Sequence, residues 1–192
     1  SYTVDTFLEV HNDHRPLIPR LVYYPVEFFS KGNFQVLACI GFFIHSLSFL
    51  LVISIIRKWF LSQRSFLLYI LPLSVFWFNL HLVSNLLTGL SIDHALCVFF
   101  AILSSMFFEK SKKIDRYLLF SVIFAVFCMF SYSAGVLIWI AGIMALVFQR
   151  KEQYHLKIIF WSAIAAFSII LNYLFLGFPT EGRHGMGGYY VY

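Results

Sequence analysis

The sequence predicts an all-α, polytopic transmembrane helical bundle. Three observations carry that expectation: long uninterrupted apolar runs, sparse charge, and confinement of most of that charge to short loops. Of the 192 residues, 60% are hydrophobic, 20% are aromatic and 12% are charged. Soluble domains hold about 45–50% apolar and about 25% charged residues. The mean hydropathy of +0.81 points the same way. A β-barrel would show short alternating strands, and these runs are continuous and too long for that.

Charge placement sets the expected orientation. The net charge is +5, yet ten of the 14 Lys and Arg fall in three short stretches. These are Arg57, Lys58 and Arg64; Lys110, Lys112, Lys113 and Arg116; and Arg150, Lys151 and Lys157. Such clustering between apolar runs is the positive-inside pattern of cytoplasmic loops, which argues against a nucleic-acid partner. Basic loops also meet anionic lipid headgroups. Six of the nine acids, Asp5, Glu9, Asp13, Glu27, Asp93 and Glu181, fall on the opposite side. An integral protein of the bacterial cytoplasmic membrane is expected, with both ends of the chain outside.

Residues 1–33 read as an outward-facing first-loop segment with interfacial elements. Residues 34–177 read as the transmembrane domain, and 178–192 as an outward-facing Gly-rich loop. Phe34 to Ile56 is apolar for 23 residues, enough to span a bilayer. Phe66 to about Leu90 reads as a second span, kinked at Pro72. Ser91-Ile92-Asp93 reads as a tight outer turn, and His94 to Phe108 as a return too short for a full crossing.

Tyr117–Phe130 and Gly135–Phe148 form a pair of short apolar arms around Ser131-Tyr132-Ser133-Ala134-Gly135. Basic loops flank the pair, so it enters and leaves on one side. Each arm of about 14 residues reaches roughly 21 Å at 1.5 Å per residue. That is less than the ~30 Å hydrocarbon core, so the turn lies at depth and needs protein or a wet cavity around its backbone. Ile158 to Gly177 crosses again, for about six membrane-embedded segments in all. Cys39, Cys97 and Cys128 lie in apolar runs without a Cys-x-x-Cys spacing and read as small hydrophobes rather than disulfide or metal partners.

Polar residues out of place in this pattern are the candidate site. In His11-Asn12-Asp13-His14-Arg15-Pro16-Leu17-Ile18-Pro19-Arg20, the two prolines are expected to break regular helix. Arg15 and Arg20 are suited to bidentate contacts with phosphate. A carboxylate beside them stays ionised and can accept a proton from an attacking hydroxyl. The plainer alternative is an interfacial loop whose charges meet only headgroups and water. Asp93 and His94 are a second polar spot, able to complete the site or contribute to a divalent metal site; otherwise Asp93 caps a helix. Asn79, His81, Ser84 and Asn85 either hydrogen-bond neighbouring helices or line a lipid-phosphate groove. His45 and His81, at matching depths, either bind a haem between helices or hydrogen-bond a neighbour.

Three stretches resemble polytopic bacterial proteins of the GT-C glycosyltransferase fold. They are His11 to Leu21, Ser84-Asn85-Leu86-Leu87-Thr88-Gly89, and Phe130-Ser131-Tyr132-Ser133-Ala134-Gly135-Val136-Leu137-Ile138-Trp139. The resemblance implies sugar transfer from a polyprenyl-phosphate donor at the outer face of the membrane. It implies Asp13 as the catalytic base, and His14, Arg15, Arg20, Asp93 and His94 as substrate-binding candidates. A frequent GT-C pattern has two acids close together in this loop; here Glu9, four residues from Asp13, is the nearest second acid. The chain reads as a fragment of a longer GT-C-like protein, since an outward N-terminus without a signal peptide calls for a preceding helix. The alternative is a non-catalytic helical subunit or scaffold among other membrane subunits.

Overall fold

The computed structural model describes residues 17–58, 63–78, 92–149 and 154–172. All regular structure among them is helical, in seven α-helices and one short 3-10 turn. The helices are α1 (Leu17–Ser30), α2 (Phe34–Arg57), α3 (Gln63–Trp77), α4 (Ile92–Lys110), α5 (Arg116–Met129), α6 (Leu137–Gln149) and α7 (Tyr154–Ile170), and the 3-10 turn covers Ser133–Val136.

Helix α1 corrects one expectation. Pro19 is its third residue and Pro25 lies in its interior. A first-turn N–H has no intrahelical acceptor, so Pro19 removes a bond that would not form. The neighbouring Ile18 N–H finds a partner elsewhere, the Phe130 carbonyl at the end of α5, at 3.2 Å. Two helix ends thereby satisfy each other's orphan groups. A reversal at Lys31 (φ 55°) and Gly32 (φ 80°) leads into α2. Asn33 caps α2 by accepting from the Gln35 N–H at 3.0 Å.

Of the described helices, two are long and apolar enough to cross a membrane, α2 and α4. Six crossings are therefore not what these helices supply. Helices α3, α5, α6 and α7 run to 15, 14, 13 and 17 residues, against the ~20 residues a full crossing needs. The segment read as a short return, His94–Phe108, is instead the 19-residue α4. Its polar ends, Asp93, Glu109 and Lys110, stay helical, and an apolar-run reading trims them away. The paired short arms are as expected: α5 and α6 flank the turn at Ser131–Val136.

The α4–α5 pair is the centre of the fold. Ser104 Oγ donates to the Ser121 carbonyl at 2.8 Å, and Ser121 Oγ donates to the Ser104 carbonyl at 2.8 Å. Both serines are buried. Small side chains let the two backbones approach, and the hydroxyls then bond across the seam. Two turns further on, Cys97 and Cys128 meet at 3.5 Å between sulfurs. Asp115 caps α5, accepting from the Leu118 N–H at 3.0 Å.

Leu118, Val122, Ala125 and Met129 of α5 pack with Phe108, Trp139, Leu146, Trp161 and Ala165 into the main apolar cluster. The Trp161 indole N–H donates to the Trp139 carbonyl at 3.0 Å. A Cβ at Gly142 would run into that indole ring, and one at Gly135 into the Cys128 carbonyl. A second cluster joins Leu37 of α2 with Ile92 and Leu96 of α4, covered by Ile18, Val22, Tyr23 and Val26 of α1.

Lys157, read from the sequence as part of a basic loop, is instead buried on α7. Its ammonium donates to the Ser111 carbonyl at 2.8 Å, just past the end of α4. A cation there meets the negative end of the helix dipole. Arg57, Lys58, Lys110, Lys112, Lys113 and Arg116 are exposed.

The tight approach of α6 to α7 yields a prediction. Gly142→Ala should lower the thermal midpoint by the equivalent of about 1–3 kcal/mol of overpacking, set against the roughly 1 kcal/mol alanine gains over glycine within a helix. Gly135→Ala, which meets backbone rather than a side chain, should lower it more. Unfolding monitored in detergent micelles by circular dichroism measures both; an unchanged midpoint for Gly135→Ala would contradict this packing.

Candidate functional site

Three separated stretches meet at one end of the α4–α5 pair. The first turn of α1 bonds to Phe130. The first turn of α4 carries Asp93 and His94. The 3-10 turn between α5 and α6 brings up Tyr132.

Asp93 lies inside the first turn of α4, not at the capping position before it. A carboxylate there faces the positive end of the helix dipole. Its Oδ1 accepts from the His94 backbone N–H at 2.9 Å and lies 3.1 Å from the His94 ring Nδ1. The Asp93 side chain is 14% exposed and that of His94 is 49% exposed. The acid is thus shielded while the imidazole reaches outward. The Tyr132 ring lies against the imidazole at a centroid separation of 4.0 Å. On α1, burial, and then the nearby Asp93 carboxylate, push the Tyr23 hydroxyl pKa upward. Tyr23 is therefore a neutral phenol at physiological pH.

This arrangement can move a proton. An imidazole that donates from Nδ1 to a carboxylate keeps its acceptor lone pair on Nε2. The carboxylate orients the ring and stabilises the imidazolium that forms on proton uptake.

Of the sequence-derived candidates, Asp13, His14 and Arg15 lie outside the described residues, as do Asn79, His81, Ser84 and Asn85. Arg20 is half-buried on α1, one turn before Tyr23. Asp93 and His94 are brought together as a pair. Among the described residues, no three His, Cys, Asp or Glu side chains cluster as metal ligands. His45 is engaged with α3: its Nε2 donates to the Trp77 carbonyl at 3.1 Å, and the Trp77 indole N–H donates back to the His45 carbonyl at 3.4 Å.

Sequence reasoning missed Tyr23 and Tyr132 as neighbours of Asp93 and His94, and missed the Cys97–Cys128 contact. For the cysteines a signal existed. Cys97 and Ser104 on one helix, and Ser121 and Cys128 on the other, share a seven-residue spacing of small side chains. That spacing marks a close helix–helix seam.

A separate cavity of about 200 Å³ opens near the far end of α4, lined by Ser105, Phe108, Glu109, Gly142 and Trp161 among others. Asp93 and Glu109 are sixteen residues apart on α4, roughly 24 Å along a helix axis, so this cavity is no part of the Asp93–His94 site.

Tyr132→Ala uncovers one face of the imidazole. Diethyl pyrocarbonate should then modify His94 faster than in the parent protein, with an unchanged helical spectrum. An equal rate would show that Tyr132 does not shield the ring. Comparison with protein-family models, curated proteins and solved structures finds no match to this chain.

Proposed function

We propose that this chain is an integral-membrane enzyme of GT-C glycosyltransferase type. It transfers a sugar from a polyprenyl-phosphate donor at the outer face of a bacterial cytoplasmic membrane. The observation that carries this reading is the meeting, at one end of α4, of stretches that the sequence marks separately. The helix that continues the His11–Arg20 segment, the Asp93–His94 pair and the turn at Tyr132 share that end.

In this scheme Asp13 takes the proton from the acceptor hydroxyl. The acceptor oxygen then bonds to the anomeric carbon as the bond to the donor phosphate breaks. Arg15 and Arg20 hold that phosphate and stabilise the charge it gains on leaving. His14, Asp93 and His94 contact the substrate, with the imidazole placed to hydrogen-bond a sugar hydroxyl. Asp13 stands four residues ahead of Leu17, a separation that spans at most about 14 Å of extended chain.

The membrane setting is supported by the apolar exterior. Phe28, Phe29, Phe43, Leu68, Phe76 and Phe148 are each between 67% and 81% exposed. The long helices α2 and α4 bury only 33% and 28% of their most apolar windows inside the protein. Surfaces of that extent are poorly tolerated in water and well solvated by lipid. In this reading the basic loops face the cytoplasm, and the paired short helices α5 and α6 sit at partial depth.

One feature favours a second reading, a non-catalytic subunit of a larger membrane complex. Leu67, Leu68, Leu71, Val75 and Phe76 give α3 a broad exposed apolar face, which suits a partner helix as well as lipid.

Asp13→Asn decides between the readings. In reconstituted membranes given a polyprenyl-phosphate sugar, transfer should fall by roughly 10²–10⁴-fold, the usual contribution of a general base. Parent activity that survives Asp13→Asn removes the mechanism. No transfer by the parent protein, together with co-purifying membrane subunits, selects the scaffold.

A further inference from the structure

We propose that Cys97 and Cys128 are a redox-active dithiol, which a disulfide-bearing oxidant converts into an intramolecular disulfide that staples α4 to α5. The two sulfurs lie 3.5 Å apart, although the residues are 31 positions apart in the chain. A disulfide bond is about 2.0 Å long, so closure needs about 1.5 Å of approach between two side chains that already touch.

Three further observations support a reactive pair rather than two buried hydrophobes. Cys128 is 1% exposed and Cys97 is half-buried, so Cys97 is the more accessible of the two. Attacking and resolving thiols divide in that way. The backbones are held in place next to the pair. On one side stands the reciprocal Ser104–Ser121 bond, and on the other the close approach of Gly135 to Cys128. Finally, Cys97 is one helical turn from His94 on the same face of α4, so the pair adjoins the polar end of the helix that opens outward.

The chemistry balances with a disulfide R–S–S–R as oxidant, either a small molecule or a protein disulfide. The Cys97 thiolate attacks one sulfur of the oxidant. The S–S bond of the oxidant breaks, the first R–S⁻ leaves and takes up the Cys97 proton. The Cys128 sulfur then attacks Cys97 Sγ in the mixed disulfide. The second R–S⁻ leaves and takes up the Cys128 proton. Two S–H bonds are lost, one protein S–S bond is gained, and the oxidant is reduced to two thiols. The pair stands independently of glycosyl transfer.

The test uses the unmutated chain in lipid nanodiscs, where folding is not perturbed. The protein is incubated with oxidised glutathione, denatured, alkylated with N-ethylmaleimide and digested. The expected product is a Cys97–Cys128 cross-linked peptide two hydrogens lighter than its parts, with Cys39 alone alkylated. The staple should also raise the thermal midpoint, and a reductant should reverse both effects. Cys39→Ser, an exposed position on α2, should behave identically. Alkylation of both Cys97 and Cys128 after oxidant would overturn the proposal. So would a link to Cys39, a glutathione adduct that stops on Cys97, or a cross-link that forms only in denatured protein.

Discussion

Each of Ser104 and Ser121 gives its hydroxyl proton to the other's main-chain carbonyl, across the seam between α4 and α5. A serine in a helix can instead bond its own backbone one turn back, as Ser48 does to Ile44 at 2.8 Å and Ser105 does to Ala101 at 2.8 Å. Ser104 and Ser121 reach across to the neighbouring helix instead. Such a bond forms only where both residues are small and the backbones are close, so it selects one register between the helices. A slip of one turn would bring large side chains into the seam and leave two buried hydroxyls without these partners, at a cost of about 1–3 kcal/mol each.

That register decides what stands at each end of the pair. Toward the N-terminus of α4 it aligns Cys97 with Cys128 and sets His94 beside Tyr132. Toward the C-terminus it places Phe108 against Trp161. There Lys157 meets the carbonyl of Ser111. The Tyr132–His94 contact and the thiol pair therefore depend on the same register, although neither includes a serine.

Helix α1 joins this frame through few but specific contacts. Its Ile18 N–H bonds to Phe130, its apolar face covers Ile92 and Leu96, and Tyr23 reaches the neighbourhood of Asp93. The other face carries Leu21, Phe28 and Phe29, all exposed. The Asp93 carboxylate is thus screened on its α1 side, while the imidazole beside it stays accessible.

The sequence alone determined the helical class, the 23-residue apolar stretch that becomes α2, and the paired short arms with their intervening turn. These follow from hydropathy and run length, which are local properties. It also singled out Asp93 and His94, because charge beside an apolar run is conspicuous. Local rules mislead where a helix begins: prolines argue against helix at Leu17–Arg20, yet the first turn of a helix accepts proline because its N–H groups have no internal partner. An apolar-run reading makes helix α4 too short, because its charged ends are helical. Lys157 looks like a loop residue in the sequence, because a burial-compensating carbonyl 46 residues away leaves no local mark. The pairing of Cys97 with Cys128, the contact of the Tyr132 ring with His94 and the approach of Tyr23 to Asp93 were decided only by tertiary structure. Each depends on the register and docking of separate helices, which is set by side chains far apart in the chain meeting in space.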